Sequence, residues 1–241
     1  MKRVDTLKTT DQIIIASLLA ALPTGQQNFT INQHWASDFT PTIDFSTRLL
    51  IHLANEHAIS IDQPQLMPHT SFQLNIENSD INLSNLIQSI KNSPKEYTNE
   101  LHLLIHDLIA SECMDFLSQQ LKKQNLHLNL SKKPPQELYE LLKLNSCSEV
   151  HMLIWLSLKT LSNSDLRIFK ASSVTSNIAS PIITKAMQLS CSYRENKKNI
   201  SPFRKLQGFR QTALNNILFT QYLECGTDYY TTHWPIWSKS E

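Results

Sequence analysis

The sequence contains very little glycine. Only Gly25, Gly208 and Gly226 occur among its 241 residues. Phosphate-binding loops and dinucleotide-binding turns need several closely spaced glycines, so three isolated residues exclude both motifs. Tight hairpin turns also depend on glycine, and its scarcity therefore favours helices over sheets.

The sequence also lacks paired cysteines and long apolar segments. No C-x-x-C pair occurs, and the four cysteines stand alone in segments with helical patterns, which is typical of reduced thiols in a cytoplasmic protein. The apolar run over residues 13–22 is too short to cross a bilayer and is not followed by a signal-peptidase site. We therefore expect a cytoplasmic protein with no membrane span and no cofactor.

The N-terminal third carries the pattern of a small mixed domain. Phe45, Leu49 and Leu53 recur at helical spacing behind a capping residue, Thr42 or Asp44, which predicts an amphipathic helix.

Two strand patterns follow this helix. They cover residues 59–61 and 71–76, the second with strict alternation of apolar and polar residues. With a strand at 28–31 and a weak helix at 35–39, the order becomes helix, strand, helix, helix, strand, strand, which is typical of a winged helix. The sequence predicts a winged-helix-like domain over residues 1–93 with a small antiparallel sheet.

The remainder of the chain, residues 94–241, has a helical pattern throughout. A long amphipathic helix is predicted over residues 95–123, and a nearly all-apolar helix over 150–161 with Ser148 as its N-cap. Several large aromatic residues lie within 227–241, and we expect them to pack back onto the body. The fold class is therefore mainly α, with an all-helical second domain that ends in an aromatic tail.

Several stretches of the second domain resemble a known group of sequences. Residues 110–117, 153–159 and 200–205, together with Asn177, are similar to bacterial hypothetical proteins that place a winged-helix-like region before a helical domain. The resemblance covers roughly residues 96–232. It implies a bacterial origin, the two-part layout and a mobile-element or defence setting, and it carries no activity.

Charge is distributed unevenly between the two parts. Residues 1–93 hold five basic and eight acidic residues, a poor surface for reading DNA, so a winged helix here would favour a protein contact. The rest holds 17 basic and 13 acidic residues. Within 185–210 only Glu195 opposes seven cations, with Tyr193, Phe203 and Phe209 interleaved.

This basic segment is the strongest binding signal in the sequence. Cations interleaved with aromatic rings suit a phosphate backbone and stacked bases, although a solvated loop between two helices explains the same run. The residues predicted to contact nucleic acid or a protein partner are Arg194, Lys197, Lys198, Arg204, Lys205 and Arg210.

Glu112 lies on the apolar stripe of the long predicted helix, where a carboxylate needs a partner. Lys159 is the only basic residue of the apolar helix, so the sequence predicts a buried structural pair of Glu112 with Lys159. His102 and His106 are four residues apart, as zinc ligands can be, but the pattern is short and common, and we expect no metal.

Three functional hypotheses remain open. The first is a non-enzymatic adaptor or regulator that binds nucleic acid or a protein partner. The second is an enzyme whose site is assembled from dispersed residues, namely Glu112, His106 and Cys113, which requires these side chains to converge on a solvent-filled pocket. The third is a structural subunit held by an obligate partner, which would expose a large apolar patch.

Overall fold

The computed structural model of the chain describes residues 7–22, 28–30, 36, 38–61, 71–74, 82–130, 132–161, 178–204 and 211–234. These residues are mainly helical, as predicted. They divide into two compact units, the first formed by Met1–Leu104 with Arg210–Thr227 and the second by Ile105–Phe209 with Asp228–Glu241. The boundary at residue 93 between independently folding domains stays a prediction.

The first unit combines helices with a small sheet. Its helices are α1 (Thr9–Ala21), α2 (Ile43–Asn55), α3 (Leu83–Asn92) and α8 (Ala213–Asn215), and α8 continues as a π-helical segment (Asn216–Tyr222). Its strands are β1 (Asn28–Thr30), β2 (Ile59–Ile61) and β3 (Ser71–Leu74).

The three strands form one antiparallel sheet in the order β1-β3-β2. Asn28 is opposite Gln73 in one pairing, and Ile59 is opposite Leu74 in the other. Strands were predicted at these positions, although residues 31, 75 and 76 lie outside the described residues. Residues 36, 38 and 39 are helical, where the sequence predicts a weak helix.

Helix α2 follows its sequence pattern closely. Phe45, Leu49 and Leu53 are all buried on one face, as their spacing predicts. Thr42 is the N-cap, and its hydroxyl oxygen accepts a hydrogen bond from the backbone N–H of Phe45. Helix α1 is instead buried around most of its circumference, because it packs against α3, α8 and the π-helical segment.

The second unit is built from helices in its described residues. They are α4 (Asn99–Lys122, of which the residues from Ile105 onward belong to this unit), α5 (Gln136–Leu144), α6 (Cys147–Thr160), α7 (Ala179–Glu195) and a 3-10 segment (Asp228–Tyr230). Helix α7 packs against both α5 and α6.

Helix α6 begins earlier than predicted. Its N-cap is Ser146 and not Ser148, because Ser146 and Glu149 form a reciprocal capping box in which each side chain accepts from the other residue's backbone N–H. Val150, Leu153 and Ile154 are fully buried, so this helix is central to the unit, as its apolar composition indicates.

The aromatic residues after α8 pack inward where the structure describes them. Tyr229 and Tyr230 are buried, and the indole N–H of Trp234 donates to the backbone carbonyl of Tyr229 over 3.1 Å. Residues 235–241 lie outside the described residues. No helix in the described part of the chain combines the length and hydropathy needed to cross a bilayer.

Candidate functional site

Four of the six predicted contact residues lie in the described part of the chain. Lys197, Lys198 and Arg204 have exposed side chains. Arg194 is also exposed, but its guanidinium donates a hydrogen bond to the backbone carbonyl of Leu144, the last residue of α5. Lys205 and Arg210 lie outside the described residues.

The two lysines stand at the C-terminal end of α7. Lys197 adopts a left-handed backbone with φ of 52°, and its N–H donates to the carbonyl of Arg194. The N–H of Lys198 donates to the carbonyl of Tyr193 over 2.8 Å, which completes a helix-ending turn. Positive charge is favourable beside the negative end of a helix dipole, and the turn leaves both ammonium groups in solvent.

Phe203 does not have the role that the sequence suggests. Its backbone N–H donates to the carbonyl of Ser148, and its ring makes edge-to-face contacts with Phe116 and Trp155 at centroid distances of 5.0 and 6.2 Å. The ring is half-buried and anchors the loop after α7 to the unit. It is therefore a packing residue. A nucleic acid that contacts the cations beside it would have no base stacked on this ring.

The predicted pair of Glu112 with Lys159 is corrected by the structure. Glu112 is buried, as predicted, but its carboxylate accepts a hydrogen bond from the hydroxyl of Tyr229. Lys159 is exposed near the far end of α6, and its ammonium lies 3.6 Å from the ring centroid of Trp155. A cation–π contact at the surface avoids the desolvation penalty that a buried lysine would incur.

Glu112 belongs to a buried cluster of reactive side chains in the second unit. Glu112 and Cys113 are adjacent on α4, while Cys147 and His151 are four residues apart on α6 and therefore share a face of that helix. At most 1% of the surface of each of these residues is exposed. The cluster thus lies in the buried interior, where polar groups are costly unless they contact one another or a ligand.

Short distances connect the members of the cluster. The Sγ atoms of Cys113 and Cys147 lie 4.0 Å apart, and Sγ of Cys147 lies 3.7 Å from Nε2 of His151. The thiol of Cys147 donates to Oε2 of Glu112 over 3.7 Å. Ligand atoms of Cys113, Cys147 and His151 all lie within 4.8 Å of one another, a spacing that could hold a metal ion.

Aromatic residues fix the orientation of the cluster. The imidazole of His151 stacks on Phe116 with ring centroids 4.1 Å apart and planes 7° apart. Its Nδ1 lies 2.9 Å from the hydroxyl of Tyr230, which directs Nε2 toward Cys147. The hydroxyl of Tyr229 is 2.6 Å from Oε1 of Glu112. The side chains are therefore held in place by packing and by hydrogen bonds from outside the cluster.

The electrostatics of the cluster keep its two tyrosines protonated. Burial, followed by the negative charge of Glu112, raises the pKa of Tyr229 far above its usual range, so the phenol remains a donor. Burial also raises the pKa of Tyr230.

The residues of the enzyme hypothesis are only partly brought together. Glu112 and Cys113 lie in the packed cluster, whereas His106 lines a small cavity that it shares with Cys147 and Trp234. The cavity has a volume of about 10 Å³, enough for about one water molecule. Glu112 and Cys113 are buried whereas His106 is half-buried, so the described residues do not show the three side chains converging on one solvent-filled pocket.

A wider cavity lies in the first unit. It measures about 480 Å³ and is bordered by Lys8, Glu100 and Tyr222. Lys8 is paired with Glu100 over 2.6 Å. Among the residues that the structure describes, none of those predicted to form a site borders this cavity.

Sequence reasoning missed two members of the cluster, Cys147 and His151. The spacing C-x-x-x-H at 147–151 places a thiol and an imidazole on one helix face, and it could have been recognised beside the His102 and His106 pair. Its association with Glu112 and Cys113 depends on packing between residues more than 30 positions apart. Neither a protein-family model, nor a curated protein, nor a solved structure matches the chain.

Proposed function

We propose that this protein is a non-enzymatic adaptor or regulator that binds nucleic acid through the cations at and after the C-terminal end of α7. The proposal rests on the exposure of Lys197, Lys198 and Arg204 to solvent. All three are exposed, and no ion pair with a carboxylate is formed by any of them within the described residues. Cations left open in this way are the electrostatic footprint of a polyanion ligand.

The location of these cations supports a contact with phosphate. The loop that carries Arg204 is held on the unit by Phe203, so the cation stands on an anchored segment. The helix-ending turn likewise holds Lys197 and Lys198 next to each other. Preorganised cations lose less conformational entropy on binding than cations on a free chain.

The first unit is proposed to supply a protein contact. Its order of elements and its strand order, β1-β3-β2, support a winged helix. On α2, which would be the recognition helix, Arg48 is paired with Asp44, while Ile51 is 43% exposed. A paired arginine and an exposed isoleucine suit an apolar protein surface better than a DNA groove.

Fluorescence anisotropy of labelled DNA tests the nucleic-acid proposal. We expect the full-length protein to bind a short single strand, or a duplex of the same sequence, at low salt. The log–log plot of affinity against salt should fall with a slope of about −0.7 to −0.9 per phosphate contacted.

A matched pair of double variants makes the test specific. Lys197→Ala with Lys198→Ala should weaken binding and flatten the slope by about 1.4 to 1.8, since two contacts are removed. Lys122→Ala with Lys123→Ala removes two exposed lysines from the end of α4 in the same unit and changes the net charge equally. Equal effects of the two double variants, or no binding at low salt, would contradict the nucleic-acid proposal. Binding of a protein partner would then be the remaining function.

A further inference from the structure

We propose that Cys113, Cys147, His151 and Glu112 bind one zinc ion in a closed structural site of the second unit. Two thiols, an imidazole and a carboxylate supply the S, N and O atoms that zinc prefers. The first three residues already place their ligand atoms within 4.8 Å of one another. The fourth ligand would be Glu112, whose Oε2 lies 3.7 Å from Sγ of Cys147 and would move toward the other two ligands to complete the set.

The distances within the cluster agree with tetrahedral zinc. With Zn–S bonds of about 2.3 Å and Zn–N bonds of about 2.0–2.1 Å, tetrahedral geometry separates two sulfurs by about 3.8 Å and a sulfur from a nitrogen by about 3.6 Å. The observed separations are 4.0 Å for the two cysteines and 3.7 Å for Cys147 and His151. An ion could therefore enter with shifts of a few tenths of an ångström at these atoms.

The hydrogen bonds around the cluster are those that zinc ligands require. His151 would ligate through Nε2 while its Nδ1–H donates to the hydroxyl of Tyr230, now 2.9 Å away. Glu112 would ligate through Oε2 while Oε1 accepts from Tyr229. Such outer partners fix the tautomer of a histidine and the orientation of a carboxylate ligand.

The site is structural because it is closed and dry. All four ligands come from the protein and are at most 1% exposed, so no position is left for a substrate. Binding would replace the thiol protons of Cys113 and Cys147, which are released to solvent as the two thiolates form. The ion would then join α4 and α6, and through the two tyrosines it would hold the 3-10 segment.

Metal analysis of the wild-type full-length protein tests the proposal directly. We expect protein purified without an added chelator or a metal-affinity step to contain about one zinc per chain, and its melting temperature should fall when a chelator removes the ion. The metal-free protein should take up one Co²⁺ with the intense visible bands of a tetrahedral site and a thiolate-to-cobalt charge-transfer band.

Matched variants assign the ligands. Cys147→Ser should reduce the charge-transfer band by about half, since one of the two cobalt–sulfur bonds remains. Cys191→Ser, which changes an exposed cysteine of α7, should leave it unaltered. Tyr230→Phe should weaken zinc binding about 10- to 100-fold through the lost outer hydrogen bond. Tyr139→Phe removes a hydroxyl that donates to Asp107, and it should leave the affinity for zinc unchanged.

Three results would overturn the proposal. The first is a metal-free wild-type protein whose melting temperature is unaffected by zinc or chelator. The second is a cobalt complex without tetrahedral or thiolate bands. The third is a disulfide between Cys113 and Cys147, found by mass spectrometry of the freshly purified protein. Each of these measurements is made on the wild-type chain, so none depends on a variant that fails to fold.

Discussion

Replacement of Tyr229 by phenylalanine isolates one hydrogen bond in the centre of the second unit. The tyrosine ring is fully buried, and its hydroxyl donates to Oε1 of Glu112 over 2.6 Å. Phenylalanine keeps the ring and its packing, so the substitution removes only the donor. The buried carboxylate of Glu112 then loses this short hydrogen bond, while its other contacts remain, among them the longer and weaker bond from the thiol of Cys147.

The expected loss of stability follows from this geometry. A hydrogen bond to a charged group contributes about 1.5–3 kcal/mol, and a buried charge left without adequate compensation costs about 3–5 kcal/mol. Because the Cys147 thiol still compensates part of the charge, we expect Tyr229→Phe to lower the free energy of unfolding by about 2–4 kcal/mol.

Urea unfolding followed by circular dichroism measures this loss. The experiment is done with a chelator present throughout, so that the metal-free proteins are compared. With an m value of about 3 kcal/mol/M, at the upper end of the usual range because the chain is long, the midpoint should fall by about 0.7–1.3 M while m stays constant. The double variant with Glu112→Gln tests the cause, since the effect of Tyr229→Phe should be smaller once residue 112 carries no charge.

Tyr139→Phe is the control for the chemistry of the substitution. Its hydroxyl donates to Asp107 over 2.7 Å, but both residues are half-buried, so water can replace the lost donor. We expect a loss of about 1 kcal/mol or less. If Tyr229→Phe costs no more than Tyr139→Phe, the interpretation of Glu112 as a buried carboxylate that depends on Tyr229 is refuted.

Two further substitutions test the electrostatics and the capping. The hydrogen bond that His52 donates to the carboxylate of Asp11 raises the pKa of His52, so this pair stabilises the first unit fully below about pH 6.5 and loses its effect as the pH rises through the raised pKa. The difference in unfolding free energy between wild type and Asp11→Asn should therefore shrink by about 0.5–1 kcal/mol between about pH 5.5 and 8.5. This value is kept small because His52 is partly exposed and water screens the pair. A difference that stays constant over this pH range would show that the pair does not stabilise the unit. Ser146→Ala removes the capping box of α6 and should cost about 1 kcal/mol in thermal unfolding, whereas an unchanged melting temperature would mean that another group satisfies the end of the helix.

Local sequence patterns predicted the elements better than their ends. The spacing of Phe45, Leu49 and Leu53 specifies one buried face of α2, and Thr42 caps the helix as expected. At α6 the apolar run points to its nearest serine, Ser148, as the cap, but S-x-x-E at Ser146 and Glu149 offers a reciprocal pair of hydrogen bonds and forms the cap instead.

Partner choice was less predictable than burial. Glu112 was expected inside because its neighbours on the helix are apolar, and it is buried. Its partner is a tyrosine 117 positions later in the chain and not Lys159, because a phenol enters the interior at a lower desolvation cost than an ammonium group. Phe203 likewise packs inward, although its sequence neighbours are cations.

The sequence alone therefore determined the helical class and the positions of the short strands, since each depends on residues close together in the chain. Only the tertiary structure brought Glu112 and Cys113 against Cys147 and His151. That association depends on side-chain packing between α4 and α6, for which the helical periodicity of either segment specifies a buried face but no partner.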